Sequence, residues 1–237
     1  MEEYMTEDLS RLEERSPEEV LKWALDKFGD KIALACSFGA EDMVLVDMLS
    51  KVTDKPRIFT LDTGRLHQET YDVMDEAGKK YGIDFQVMFP NTEAVETMER
   101  EEGPNLFYAS VESRKRCCGV RKMEPLRRAF SELDAWITGL RREQAVTRGD
   151  IPKVEKDKSN NLIKINPLVE WSEEDVWDYI KKNDVPYNAL HEQGFPSIGC
   201  APCTRPVKPG EDVRAGRWWW ETPEQKECGL HVKEKSA

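Results

Sequence analysis

The sequence has no apolar stretch approaching the roughly eighteen residues that a membrane-crossing helix needs. Its first residues, Met1 to Arg15, are acidic and polar, without the basic segment and apolar run of an export signal. A cytoplasmic protein with no membrane partner is therefore expected. Histidine is scarce, with His67, His191 and His231 scattered along the chain, and neither H-E-x-x-H nor G-x-S-x-G occurs. Zincin and serine-hydrolase readings thus find no support. Positive charge is also in deficit: the formal net charge is -11, which argues against wrapping nucleic acid, because binding a phosphate backbone needs a basic face that releases counterions. No internal repeat of about 20–50 residues is present, which disfavours solenoids. Six cysteines are too few and too clustered for a disulfide framework, so metal binding or thiol chemistry is the better expectation.

What is present reads as one α/β domain with appendages, since 237 residues suffice for one substantial core. Residues 1–28 form an N-terminal helical segment, 29–185 a nucleotide-binding core, and 186–237 an irregular segment ending in a polar tail expected to be mobile. Ser16-Pro17-Glu18-Glu19 signals a helix running to about Lys27: Ser at the N-cap, Pro at the first helical position, and Glu three residues after the cap. Apolar runs at 32–36, 57–61, 84–88 and 135–139 alternate with helical patterns at 43–49, 67–81 and 92–101, which predicts crossover connections and a parallel twisted sheet with helices on both faces. Helix is predicted again from Gly119 to Ser131, with a bend or restart at Pro125. Residues 153–165 read as a two-stranded excursion turning at Ser159-Asn160-Asn161, and Ser172 with Asp175 caps a helix to about Asn183.

Cys117-Cys118 and Cys200-Ala201-Pro202-Cys203 place four thiols in two short groups. Adjacent cysteines make a strained disulfide ring, so a redox pair explains Cys117-Cys118 poorly. Four thiolates converging on a metal centre explain both groups. Flanking cations, Lys122 among them, would offset a negatively charged iron-sulfur cluster, and they would equally suit a zinc tetrathiolate. Spacing therefore predicts a four-thiolate site and leaves the metal open. Cys36, at the end of an apolar strand, reads as a small buried thiol.

Lys115-Arg116-Cys117-Cys118-Gly119-Val120-Arg121-Lys122, Gly199-Cys200-Ala201-Pro202-Cys203-Thr204-Arg205, Arg214-Ala215-Gly216-Arg217-Trp218-Trp219-Trp220-Glu221 and Glu227-Cys228-Gly229-Leu230-His231 resemble, in order, the motifs of the assimilatory, cluster-containing adenylyl-sulfate reductases. Ser37-Phe38-Gly39-Ala40-Glu41-Asp42 and Leu61-Asp62-Thr63-Gly64-Arg65 resemble that family's nucleotide-binding turns, so the likeness spans about residues 30 to 231. It implies an adenine nucleotide alpha hydrolase-like fold and one 4Fe-4S cluster per subunit on Cys117, Cys118, Cys200 and Cys203. It further implies adenylyl sulfate as substrate and thioredoxin or a similar dithiol protein as reductant. A homo-oligomer is left open, as is acceptance of the 3′-phosphorylated substrate.

In parallel α/β sheets ligands lie across the carboxyl ends of the strands, which gathers the turns beginning at Ser37, Leu61 and Gly139. Backbone amides around Ser37, Phe38 and Gly39, at a helix N-terminus, are suited to a phosphate. By resemblance Leu61 and Gly139 flank the adenosine, while Lys122, Arg148, Arg214 and Arg217 face the phosphosulfate. With four cysteines assigned to the cluster and Cys36 in a strand, Cys228 is the thiol left for nucleophilic attack, on a tail that closes over substrate and then presents its sulfur to the reductant. Two other readings compete. The Ser37–Asp42 turn is similar to the Ser-Gly-Gly-x-Asp-Ser turn of ATP pyrophosphatases, which suggests a cluster-containing tRNA thiolation enzyme, but it has one glycine where that turn has two and no closing serine. A non-catalytic metal or nucleotide sensor would have no use for Cys228.

Overall fold

A computed structural model describes residues 9–144 and 151–222. The helices are α1 (Leu9–Leu12), α2 (Pro17–Phe28), α3 (Ala40–Val52), α4 (Gln68–Tyr81), α5 (Thr92–Glu102), α6 (Val111–Cys118), α7 (Glu124–Phe130) and α8 (Glu173–Asn183). The strands are β1 (Ile32–Ala35), β2 (Ile58–Leu61), β3 (Gln86–Met88), β4 (Ala135–Ile137), β5 (Val154–Asp157) and β6 (Leu162–Ile165). They form one six-stranded sheet in the order β3-β2-β1-β4-β6-β5. β1 pairs in parallel with β2 and β4, β4 pairs in parallel with β6, and β5 and β6 make an antiparallel hairpin. The expected α/β class with a mainly parallel sheet is therefore the fold. Among the described residues no helix is long and apolar enough to cross a membrane.

The described residues divide into two compact units that interleave in sequence: 9–59, 73–86, 132–144 and 151–187 form the first, and 60–72, 87–131 and 188–222 the second. The first is built around the sheet strands β1 and β4. Ile32, Leu34, Ala135, Ile137 and Ile165 pack with Met43, Val44, Val46 and Met48 of α3 and with Val20, Leu21 and Ala24 of α2. Burying such side chains stabilises by about 1.5–3 kcal/mol each before entropy is counted. Both anticipated capping boxes are present. Ser16 accepts from the Glu19 amide while Glu19 accepts from the Ser16 amide, and Ser172 and Asp175 do the same at α8.

The second unit has a smaller core of Met98, Leu106, Phe107, Cys117, Cys203 and Trp218. Here the structure differs from the helix expected to begin at Gly119. α6 already starts at Val111, with the Ser110 side chain accepting from the Ser113 amide, and Cys117-Cys118 are its last residues. The local sequence hides this start because Arg114, Lys115 and Arg116 interrupt the apolar periodicity. Gly119–Met123 is then a π turn, and α7 begins with Pro125 in its first turn. The restart foreseen at Pro125 is thus accommodated by a widened turn just before it, where a missing N–H costs little.

Candidate functional site

In the first unit β1 ends and the chain turns through Ser37, Phe38 and Gly39 into α3. Phe38 holds φ of 60°, a left-handed conformation that costs a bulky residue energy, and its side chain is buried against Phe85. The structure assigns the donors in this turn. The Ser37 amide and hydroxyl both reach one oxygen of Asp42, at 2.6 and 2.7 Å. The Phe38 amide faces the Cys36 sulfur. Gly39 is the N-cap of α3, and the amides of the following first turn have no partner within the helix. An anion at this N-terminus would meet those amides, aligned with the helix dipole, rather than the Ser37 amide.

Two acids follow in that same first turn, and both are committed elsewhere. Glu41 accepts from Arg141 Nε at 2.8 Å and from Gln144 at 3.0 Å. Asp42 is buried, and its carboxylate is also reached by the Gly139 amide. A Cβ on Gly139 would lie 2.6 Å from Asp42 Oδ1 and 2.8 Å from Glu41 Cβ, so only glycine fits there. One carboxylate therefore ties the turn after β1 to the turn after β4. Burial pushes the Asp42 pKa up to about 6, with the hydrogen bonds from Ser37 opposing that rise. A raised carboxyl favours the folded state while protonated, and that contribution is lost as pH rises from the usual carboxylate value through about 6. Asp42→Asn is therefore expected to remove a downward slope in stability between about pH 4 and 6, read from urea midpoints of the two proteins across that range.

In the second unit Cys117, Cys118, Cys200 and Cys203 line one cavity together with Thr63, Arg65, Arg114, Arg121 and Lys122. The C-x-x-C segment is fixed on both sides. The Ala201 amide donates to the Arg65 carbonyl at 2.8 Å, and the Trp218 amide to the Cys203 carbonyl at 3.0 Å. Thr63 Oγ1 lies 3.1 Å from Cys200 Sγ, a contact spanning 137 residues. Arg121 donates from Nη1 to the Thr63 carbonyl at 2.8 Å, while its buried Nε has no hydrogen-bond partner among the described residues. Arg114 makes a bidentate pair with Glu221, at 2.9 and 2.7 Å, both side chains being 2% exposed.

Among the described residues no group of three or more Cys, His, Asp or Glu side chains is placed to hold a single metal ion. The donor chemistry nevertheless fits an anionic, cysteine-ligated group. Burial pushes the Cys203 thiol well above its ordinary pKa, and charge on Cys200, Cys118 and Cys117 pushes it further. Cys117 is raised by burial too, against the pull of Arg121. Several thiolates side by side thus require a compensating cation, which iron within a cluster would supply, and Arg121, whose buried Nε has no hydrogen-bond partner among the described residues, lines the same cavity.

Of the residues singled out from sequence, Ser37, Phe38, Gly39 and Gly139 fall in the first unit, joined by Asp42. Leu61, the last residue of β2, and Lys122, Arg214, Arg217 and the four cysteines fall in the second. Lys122 lines the thiol cavity. Arg148 and Cys228 lie outside the described residues. Thr63 and Arg65, in the turn that resembles a nucleotide-binding turn, also line the cysteine cavity, a contact the sequence does not signal. Arg114 was one basic residue among many, although its place four residues before Cys118 puts it on the same helix face.

Residues 31–206 match the model of the phosphoadenosine phosphosulfate reductase domain, and the chain belongs to that family of reductases. Within it the chain is 53% identical over 205 residues to the adenosine 5'-phosphosulfate reductase of Allochromatium vinosum, covering 86% of this chain and 80% of that protein. It is 46% identical over 229 residues to the enzyme of the same name from Pseudomonas aeruginosa, covering 94% and 85%. Among solved structures it resembles the phosphoadenylyl-sulfate reductase of Candida auris, crystallised as a phosphate complex, with a TM-score of 0.73, 31% identity, and coverage of 84% of this chain and 97% of that one. Candida glabrata FMN adenylyltransferase, at 16% identity and a TM-score of 0.58, shares the fold alone.

Proposed function

We propose that this chain reduces adenylyl sulfate to sulfite and AMP in sulfate assimilation, in the cytoplasm, with thioredoxin or a similar dithiol protein as electron donor. The observation that carries the reading is a cavity lined by four cysteines and by cations, in a chain about half identical to adenosine 5'-phosphosulfate reductases. Cys117, Cys118, Cys200 and Cys203 would hold a 4Fe-4S cluster, which when bound supplies fixed charge beside Lys122.

The substrate joins sulfate to the phosphate of AMP in a mixed anhydride, so cleaving the sulfur–oxygen bond expels a good leaving group. Ser37, Phe38, Gly39 and Gly139 shape the nucleotide site, with Leu61 beside the adenosine, and the phosphate meets the first-turn amides of α3 that follow Gly39. Lys122, Arg148, Arg214 and Arg217 neutralise the phosphosulfate, and cations placed where charge develops lower the barrier more than contacts made equally throughout. The Cys228 thiolate attacks sulfur, the bond to the phosphate oxygen breaks, and AMP leaves with the electron pair. The enzyme is left with a thiosulfonate. A dithiol protein then attacks Cys228 Sγ and releases sulfite. The resulting mixed disulfide is resolved by the donor's second thiol, so the dithiol supplies both electrons.

The test is sulfite release from adenylyl sulfate by anaerobically prepared protein, beside the same assay with the 3′-phosphorylated nucleotide. Turnover of the unphosphorylated substrate with weak turnover of the other is expected, and the reverse order would reassign the substrate. Arg217→Ala is expected to lower kcat/KM by an amount equivalent to about 1.5–3 kcal/mol, the loss of one charge-assisted hydrogen bond, with the melting temperature little changed. Unchanged kinetics in alanine variants of all four cations would place the anion elsewhere.

A further inference from the structure

The Arg217 side chain is held in a narrow slot of the second unit. Its Nη1 donates to the Ile198 carbonyl at 3.0 Å and lies 3.4 Å from Ser197 Oγ. Its guanidinium carbon sits 5.0 Å from the Trp218 ring centroid, within cation–π range. The opposite constraint is Gly199. A Cβ there would lie 2.4 Å from Arg217 Nη2, 2.5 Å from Cζ and 3.0 Å from Nε, so the three nearest atoms all belong to one guanidinium. Gly199 has no positive φ among the glycines that adopt one, so its backbone conformation does not demand glycine. The close approach of Arg217 does.

Trp218 is the other wall. It is buried at 2% exposure with φ of 40°, a conformation that a large side chain keeps only when its surroundings over-determine it. Three contacts do so. Its amide donates to the Cys203 carbonyl, its own carbonyl accepts from the Glu221 amide at 2.8 Å, and the Arg114 guanidinium lies 4.7 Å from its ring centroid while paired with Glu221. Gly199 immediately precedes Cys200, and Arg114 belongs to the helix that ends in Cys117-Cys118. One wall therefore adjoins a cysteine segment in sequence, and the other is held by contacts with Cys203 and with Arg114 of the cysteine-bearing helix.

We infer that Gly199 and Trp218 are positioning residues that aim the Arg217 guanidinium at the substrate's phosphosulfate. The inference rests on the reading of Arg217 given above. It gives the two cysteine segments a mechanical part in substrate binding that requires no electron transfer. The nearest atoms to a side chain at residue 199 all belong to the Arg217 guanidinium, so Gly199→Ala acts first by displacing that group.

The experiment measures the dissociation constant of adenylyl sulfate in the Cys228→Ser background, which holds substrate without turning it over, with iron content determined for each variant. Gly199→Ala is expected to weaken binding roughly tenfold to a hundredfold, and no more than Arg217→Ala does. Iron should stay at the parent level. In the Arg217→Ala background Gly199→Ala should add nothing, because its effect runs through the side chain already removed. Trp218→Phe, which keeps a ring face, should bind more tightly than Trp218→Leu. Equal losses from Gly199→Ala with and without Arg217 would overturn the inference, as would unaltered binding by Gly199→Ala when Arg217→Ala is weakened. Binding untouched by Arg217→Ala itself would instead remove the substrate role of Arg217, and the slot's purpose with it. Should Gly199→Ala lose iron, the Trp218 pair decides, and equal binding by the two Trp218 variants counts against the slot.

Discussion

Cys228→Ser is expected to bind adenylyl sulfate and to release no sulfite, a fall in turnover of at least about four orders of magnitude, because the hydroxyl that replaces the thiol is un-ionised at neutral pH and is a poor nucleophile toward sulfur. Mass spectrometry of the parent protein incubated with substrate and no reductant should find added SO3 on the peptide carrying Cys228. Full sulfite production by the serine variant would end the mechanism, and a sulfonate on another cysteine would relocate the nucleophile. In sequence Cys228 follows Glu227, whose charge opposes ionisation of the thiol. The arginines that bind the phosphosulfate are suited to reverse that bias once substrate is present, which ties the thiol's reactivity to occupancy of the site.

The second large effect is expected at Cys203. Cys203→Ser removes one of four thiols from a cavity whose remaining lining includes Arg114, Arg121 and Lys122. Iron and labile sulfide should fall to near zero in anaerobic preparations, broad absorption in the visible blue should vanish, and stability should drop by ~4 kcal/mol or more, as when a structural metal centre is lost. Cys203 and Cys117 are also part of the small core around Phe107 and Trp218, so part of the loss comes from packing. Cys36→Ser serves as the control for a buried thiol away from the cavity: it should cost stability through burial of a hydroxyl and leave iron unchanged. Stoichiometric zinc with no iron in the parent protein would reassign the centre.

The parts of this molecule that were legible in the sequence are those fixed by neighbours. Ser16-Pro17-Glu18-Glu19 and Ser172 with Asp175 announce their helices because a capping box closes within four residues. The strands at Ile32, Ile58 and Ala135 are short apolar runs of the kind that only a buried parallel sheet explains. The four cysteines were visible as two pairs, and the order of motifs supplied the family. What stayed hidden depends on contacts made across long stretches of chain. Arg114 and Glu221 are separated by 107 residues, and nothing near either predicts a buried bidentate pair. Asp42 looked like an ordinary acid in a first turn, where the helix dipole alone explains it, and only the fold brings Gly139 against its carboxylate. The contacts of Thr63 and Arg65 with the C-x-x-C segment were hidden for the same reason, since a turn following a strand says where the chain bends and not which distant side chain it meets.

The π turn at Gly119–Met123 decides where two cations point. Such a turn amounts to a single residue inserted into an α-helix, and it leaves weaker hydrogen bonds where it sits. A chain one residue shorter here would close into a regular helix from Val111 to Phe130, with Arg121 and Lys122 swung by about 100° relative to the cysteines that precede them. The wider turn keeps Arg121 on the Thr63 carbonyl and Lys122 in the lining of the thiol cavity. The irregular turn thus places two cations beside the thiols that a regular helix would aim elsewhere.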